Sequence, residues 1–124
     1  VWMQREYPLE GGIIITENGC AIREDTLPEA TRDTPRVEYL QGYLVQLHRA
    51  IKEGADVRGY CVWSFMDNFE WQHGYSKRFG IVRVDYETQA RLPKDSARLL
   101  SACAESNALL VPERVLDGSE HAPF

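Results

Sequence analysis

Glu17 is the first residue whose setting suggests chemistry. The β-branched run Ile13–Ile15 and Thr16 leads into it, and Asn18 and Gly19 follow. Asn-Gly supplies the positive φ angles of a sharp turn, so the carboxylate stands where a buried strand ends. A second group gathers at residues 63–71, where Trp63, Asp67, Asn68, Phe69, Glu70 and Trp71 crowd into nine positions. Sugars present apolar C–H faces and a ring of hydroxyls, so their sites combine flat aromatic platforms with carboxylates or amides. Read by residue type alone, both groups keep a plainer alternative. Glu17 also fits a solvated turn residue, Trp63 a core residue and Trp71 a loop anchor.

The elements that must position these residues follow from the hydrophobic pattern. Residues 1–7 read as the tail of a helix stopped by Pro8 and the Gly11-Gly12 pair. Ile13–Ile15 has no polar alternation, as in a strand buried on both faces. Residues 20–32 form a polar loop, and Asp33-Thr34-Pro35 is a helix start with a capping side chain and an early proline. Val37, Leu40, Leu44, Leu47 and Ile51 recur at spacings of three and four, one apolar stripe that Gly54 closes. Residues 57–65 form a second strand with Cys61 in the core, and residues 66–80 a long loop. Residues 81–86 alternate as a short strand, residues 87–93 turn, and a last helix runs from Lys94 to Asn107 with Ala97, Leu100 and Ala104 on one face.

Two strands joined through a crossover helix make a parallel βαβ unit, which places Glu17 and the end of the second strand on one rim. Such strands need cover on both faces and partners along both edges, which two strands cannot provide. A (β/α)₈ barrel takes roughly 250 residues, so 124 residues would supply about its last quarter. The chain also opens at Val1 without an initiator methionine, and an upstream segment or a partner chain is expected to complete the sheet.

Composition narrows the function classes. The net charge is −5 with Lys and Arg scattered, which speaks against nucleic acid or an anionic membrane surface as partner. No uninterrupted apolar run exceeds four residues, as in Tyr60–Trp63, too short to span a membrane. No basic stretch followed by an apolar one opens the sequence, so no signal peptide is read there. Cys20, Cys61 and Cys103 are few, odd in number and far apart, which suits buried thiols in a reducing, cytoplasmic compartment. His48, His73 and His121 are equally dispersed; neither a metal site nor a cofactor is expected. His48 beside the helix stripe reads as a partly buried packing residue, and His73 as a solvated loop histidine.

With these residues laid out, ITENG at 15–19 and WSFMDNFEW at 63–71, followed by GYSKRFG at 74–80, resemble the closing motifs of glycoside hydrolase family 1. The likeness runs on through Asp33, Arg36 and Tyr39, VRGY at 57–60, Val84-Asp85-Tyr86 and Lys94-Asp95-Ser96. It implies an α/β chain comprising the C-terminal (β/α) units of a TIM (β/α)₈ barrel, incomplete in this chain. Residues 1–108 would be the last two strand–helix units, and residues 109–124 a tail. The resemblance makes Glu17 the nucleophile of a retaining β-glycosidase, forming a covalent glycosyl-enzyme that water hydrolyses. It makes Trp63 the platform beneath the sugar, Glu70 and Trp71 the pair on its outer hydroxyls, and Phe79 an aromatic wall. Asn18 and Asp67 would support the rim. The 6-phospho-glycosidase branch resembles this stretch with Ser in place of Glu70 and Tyr in place of Phe79. A carboxylate at position 70 would repel a sugar phosphate, so unphosphorylated β-glucosides are expected, with β-galactosides and β-fucosides as further candidates. Lys77 occurs in both branches.

The chain also departs from the family pattern. Tyr43 stands where His is usual, and Arg98, Leu99 and Leu100 replace an aromatic cluster. The Asn-Glu-Pro motif of the general acid/base has no counterpart. Retaining chemistry needs two carboxyl groups about 5 Å apart, so the chain by itself is expected to be inactive. Two other readings stay open: a carbohydrate-binding remnant that hydrolyses nothing, and one piece of a split barrel.

Overall fold

A computed structural model describes residues 1–7 and 10–110. The order is α1 (Trp2–Glu6), β1 (Ile13–Ile15), α2 (Leu27–Arg32), α3 (Thr34–Lys52), β2 (Val57–Tyr60), a 3-10 turn (Trp71–His73), β3 (Val82–Val84), β4 (Arg91–Pro93) and α4 (Asp95–Ser106). β1 and β2 pair in parallel, Ile14 opposite Gly59 and Ile15 opposite Tyr60, with α2 and α3 between them in sequence. This is the βαβ unit expected from the pattern. β3 and β4 form a separate antiparallel ribbon, Val82 opposite Pro93 and Val84 opposite Arg91. Its turn is held by Asp85, whose Oδ1 accepts from the amides of Glu87 and Thr88, both at 2.9 Å.

The core is small. Leu40 from α3 meets Ile81 and Val82, with Tyr39, Val62, Ala97, Leu99 and Leu100 packed around them. α3 and α4 therefore join over the entry to β3, and α3 buries Leu40 and Val45 along its inner face. No helix among the described residues is long and apolar enough to cross a membrane.

Several expectations need correction. The polar loop after Glu17 contains a helix, α2, because Thr26 accepts from the Glu29 amide while the Glu29 side chain reaches back to the Thr26 amide. The second strand leaves regular pairing at Tyr60 rather than Phe65, and its peptide Trp63-Ser64 is cis. Residues 87–93 are not all turn, since Arg91–Pro93 pairs as β4. Ile14 is 59% exposed, not buried on both faces, because among the described residues β1 has only β2 beside it. Cys61 and His48 are exposed as well, and Ile51 and Ala104 stand in solvent at the ends of their stripes. Asp33 does not cap α3 with its side chain; that carboxylate is turned to buried partners described below. Residues 111–124, most of the expected tail, lie outside the described residues.

Candidate active site

The parallel ladder continues past the formal ends of β1 and β2. The Cys61 amide donates to the Ile15 carbonyl at 2.8 Å, the Asn18 amide to the Cys61 carbonyl at 3.1 Å, and the Trp63 amide to the Asn18 carbonyl at 2.8 Å. Glu17 and Trp63 are thereby carried to the same end of the strand pair. Gly19 makes the close approach feasible: a Cβ there would lie 1.5 Å from the Trp63 carbonyl oxygen. Glu17, Asn18, Gly19, Tyr39 and Trp63 together line an open cavity of about 300 Å³. Glu17 is exposed into solvent and Trp63 is 38% exposed, so both can be reached by a ligand.

Glu70, Trp71 and Phe79 are not among the residues lining that cavity. They sit on the loop that leaves the ladder after Trp63. The loop is stitched at its base: the Ser64 amide donates to the Phe79 carbonyl at 3.1 Å, the Ile81 amide to the Ser64 carbonyl at 2.9 Å, and the Asp67 amide to the Val82 carbonyl at 3.1 Å. Phe79 is therefore held beside Ser64, next to Trp63. At the loop's far end the Glu70 amide donates to the Gly74 carbonyl at 2.7 Å, and Trp71, with φ of 43°, is 79% exposed. Tyr75 packs against Phe69 and Tyr86, and the Arg78 guanidinium lies 4.7 Å over the Tyr86 ring. His73 stands exposed on this loop, as expected of a solvated histidine.

Beneath the two loops lies a buried ionic cluster with little sign in the sequence. The Asp67 carboxylate, fully buried, accepts from Arg78 Nη1 at 2.5 Å, the Gly80 amide at 3.0 Å, the Val84 amide at 3.3 Å and Lys94 Nζ at 3.4 Å. Glu24, seven residues after the candidate nucleophile, receives Arg36 at 3.3 Å, Arg83 at 3.0 Å and the Lys94 ammonium. Asp33 holds Arg36 at 2.7 Å and both the amide and the hydroxyl of Ser96, at 3.0 and 2.6 Å. Burial, aided by Arg36, pushes the Lys94 ammonium below its ordinary range, while Glu24 and Asp67 oppose that. So many charges leave water only because each meets an opposite one; among the described residues Arg36 Nε is the one buried side-chain nitrogen or oxygen without a partner. Asp33, Arg36 and Lys94 belong to the motifs quoted above, but nothing in their spacing tells a buried charge from a solvated one.

A second cavity, of about 330 Å³, lies between residues 21–25 and 76–78 and touches none of the predicted site residues. The cavity beside Glu17 is the one that joins a carboxylate to an indole, which is the pairing sugar chemistry requires.

The sequence model for Glycosyl hydrolase family 1 matches residues 1–109. The chain belongs to that family. Among its curated relatives, Beta-glucosidase 4 of Oryza sativa subsp. japonica is 56% identical over 93 residues, 72% of this chain and 19% of that protein. Beta-glucosidase A of Thermotoga maritima is 50% identical over 99 residues, 78% of this chain and 22% of that protein. This family 1 chain thus spans about a fifth of the length of these relatives. Among solved structures, a family 1 β-glucosidase from Thermotoga maritima superposes with a TM-score of 0.79 at 46% identity, covering 88% of this chain and 25% of that one. The β-glucosidase of that organism in complex with glucoimidazole gives 0.76 at 45%, covering 88% and 26%.

Proposed function

We propose that this chain supplies the nucleophile half of a retaining β-glucosidase site, and that it forms the last two strand–helix units of a (β/α)₈ barrel. The observation that carries the reading is the continuous ladder from Ile15 to Trp63, which brings Glu17 and an indole to one cavity at one end of a parallel strand pair. In this reading a Glu17 oxygen attacks the anomeric carbon of a sugar stacked on Trp63. The C1–O bond to the aglycone breaks, its electron pair leaves with the aglycone oxygen, and a general acid protonates that oxygen. Water, deprotonated by the same group, then displaces Glu17 and returns the carboxylate. The acid/base carboxyl comes from outside these residues, since no Asn-Glu-Pro occurs here. Glu70 and Trp71 take the outer hydroxyls and Phe79 closes the pocket wall. The charge of Glu70 directs the site to unphosphorylated glucosides.

The test is complementation. The 124-residue chain is co-expressed with the Thermotoga maritima β-glucosidase truncated before its matching segment, and aglycone release from an aryl β-glucoside is followed. Turnover is expected from the pair and from neither part alone. Glu17→Ala should lower it by about 10³-fold or more, as expected when a covalent nucleophile is removed. Added azide should restore aglycone release by taking the vacated position. Undiminished turnover with Glu17→Ala overturns the reading.

A further inference from the structure

Asn18 is tied down from four sides. Its amide and carbonyl are both engaged with the other strand, at Cys61 and Trp63. Its side chain is spanned as well: Tyr60 Oη donates to Asn18 Oδ1 at 2.8 Å, and Asn18 Nδ2 donates to Tyr39 Oη at 3.2 Å. Tyr60 ends β2 and Tyr39 lies in α3, so a single amide links the end of β1, the end of β2 and the helix that crosses between them. Asn18 directly follows Glu17, and its carbonyl holds the Trp63 amide. Any rotation of Asn18 therefore changes where the Glu17 carboxylate stands relative to the indole.

We propose that Tyr60 and Tyr39 are positioning residues for the Glu17 site: the two hydroxyls pinch the Asn18 amide and so fix the spacing between nucleophile and sugar platform. The inference rests on the reading of Glu17 as nucleophile but names hydroxyls that act through Asn18; Tyr39 also lines the cavity, and its ring stays there in a phenylalanine variant. The chemistry of the two phenols suits the task. Burial, with smaller contributions from Tyr39, Cys20 and Tyr43, pushes the Tyr60 hydroxyl up to about 12, so it remains a protonated donor throughout the neutral range. Tyr39 is raised too, first by burial and then by Tyr43, whose ring lies 4.5 Å away. Neither aromatic ring is needed for the pinch; only the two oxygens are.

That separation of ring from oxygen defines the experiment. Tyr60→Phe, Tyr39→Phe and the double variant are made in the chain and assayed in the complemented pair. Each single variant is expected to lower kcat by about tenfold to a hundredfold with KM within about twofold, the loss that follows when a reacting group is misplaced by a fraction of an ångström. The double variant should fall no further than the worse single one, because both hydroxyls act through one amide. Thermal midpoints of the variants serve as the structural readout. Unchanged kcat, multiplicative losses in the double variant, or losses that appear in KM alone overturn the proposal. Should the wild-type pair show no turnover, the hydrolase reading falls, and the pinch is decided on the chain alone. There, slowed solvent exchange of the Asn18 side-chain amide protons, relieved by Tyr39→Phe, supports it. Exchange at the free-amide rate in the wild-type chain overturns it.

Discussion

Gly19→Ala should separate the two site-bearing strands. The added Cβ would stand 1.5 Å from the Trp63 carbonyl oxygen and 2.6 Å from its carbonyl carbon, whereas real Cβ atoms essentially never come within 3.0 Å of such a neighbour. Backbone must therefore move by about 1.5 Å, since neither neighbour is a flexible side-chain end. A shift of that size stretches the Trp63 amide to Asn18 carbonyl bond, now 2.8 Å, and the Asn18 amide to Cys61 carbonyl bond, now 3.1 Å, beyond hydrogen-bonding distance. Two lost backbone bonds at about 1 kcal/mol each, with one to three more for repacking, give about 3–5 kcal/mol. Stability of a domain is only about 5–15 kcal/mol in all, so the effect is large. Urea unfolding followed by circular dichroism reads it as a midpoint lowered by more than about 1 M with the slope unchanged. Gly42→Ala is the control: it lies within α3 with nothing within 4 Å of the new Cβ. It should stabilise by about 0.5–1 kcal/mol, as alanine does in a helix interior. A Gly19→Ala unfolding free energy within ~0.5 kcal/mol of the wild type, beside a normal control, would refute the close approach of the strands.

Two further outcomes follow from the buried charges and phenols. Glu24→Ala leaves Arg36, Arg83 and Lys94 without a shared counter-ion and should cost about 3–5 kcal/mol in chemical denaturation, whereas Arg23→Ala, on an exposed pair, should produce no measurable change; equal effects would count against the cluster. Tyr60 has its folded value raised from 10.0 to about 12, so its contribution to stability is whole below pH 10 and is lost as pH rises through 12. The alkaline fall in unfolding free energy over that window should flatten in Tyr60→Phe, and parallel curves would show that the phenol is not held neutral by the fold.

Part of this architecture is legible in the sequence alone, and the reason is local. The Ile13–Ile15 run ended by Asn-Gly and the three-and-four spacing of the α3 stripe act through neighbours a few residues away, and the crossover order follows from the succession of such elements. Where the pattern misled, a partner at long range decided. Ile14 and Cys61 have the composition of core residues, yet exposure depends on what stands beside β1 and β2, not on the strands themselves. The capping box that makes α2 was readable as Thr26 and Glu29, but the short helix was masked by its polar surroundings.

The site divides the same way. Its catalytic and sugar-facing candidates, Glu17, Trp63, Glu70, Trp71 and Phe79, could be named through the resemblance of their motifs to the family, since residue type alone left Glu17 a solvated turn residue and the two indoles packing residues as alternatives. The ions and phenols that hold those residues could not. Lys94 meets Glu24 across 70 positions and Asp67 across 27, and Tyr60 meets Asn18 across 42. A lysine that will be buried between two carboxylates and one that will face water look identical in a sequence. Only the folded chain, by choosing which loop closes over which helix start, decides between solvation and pairing.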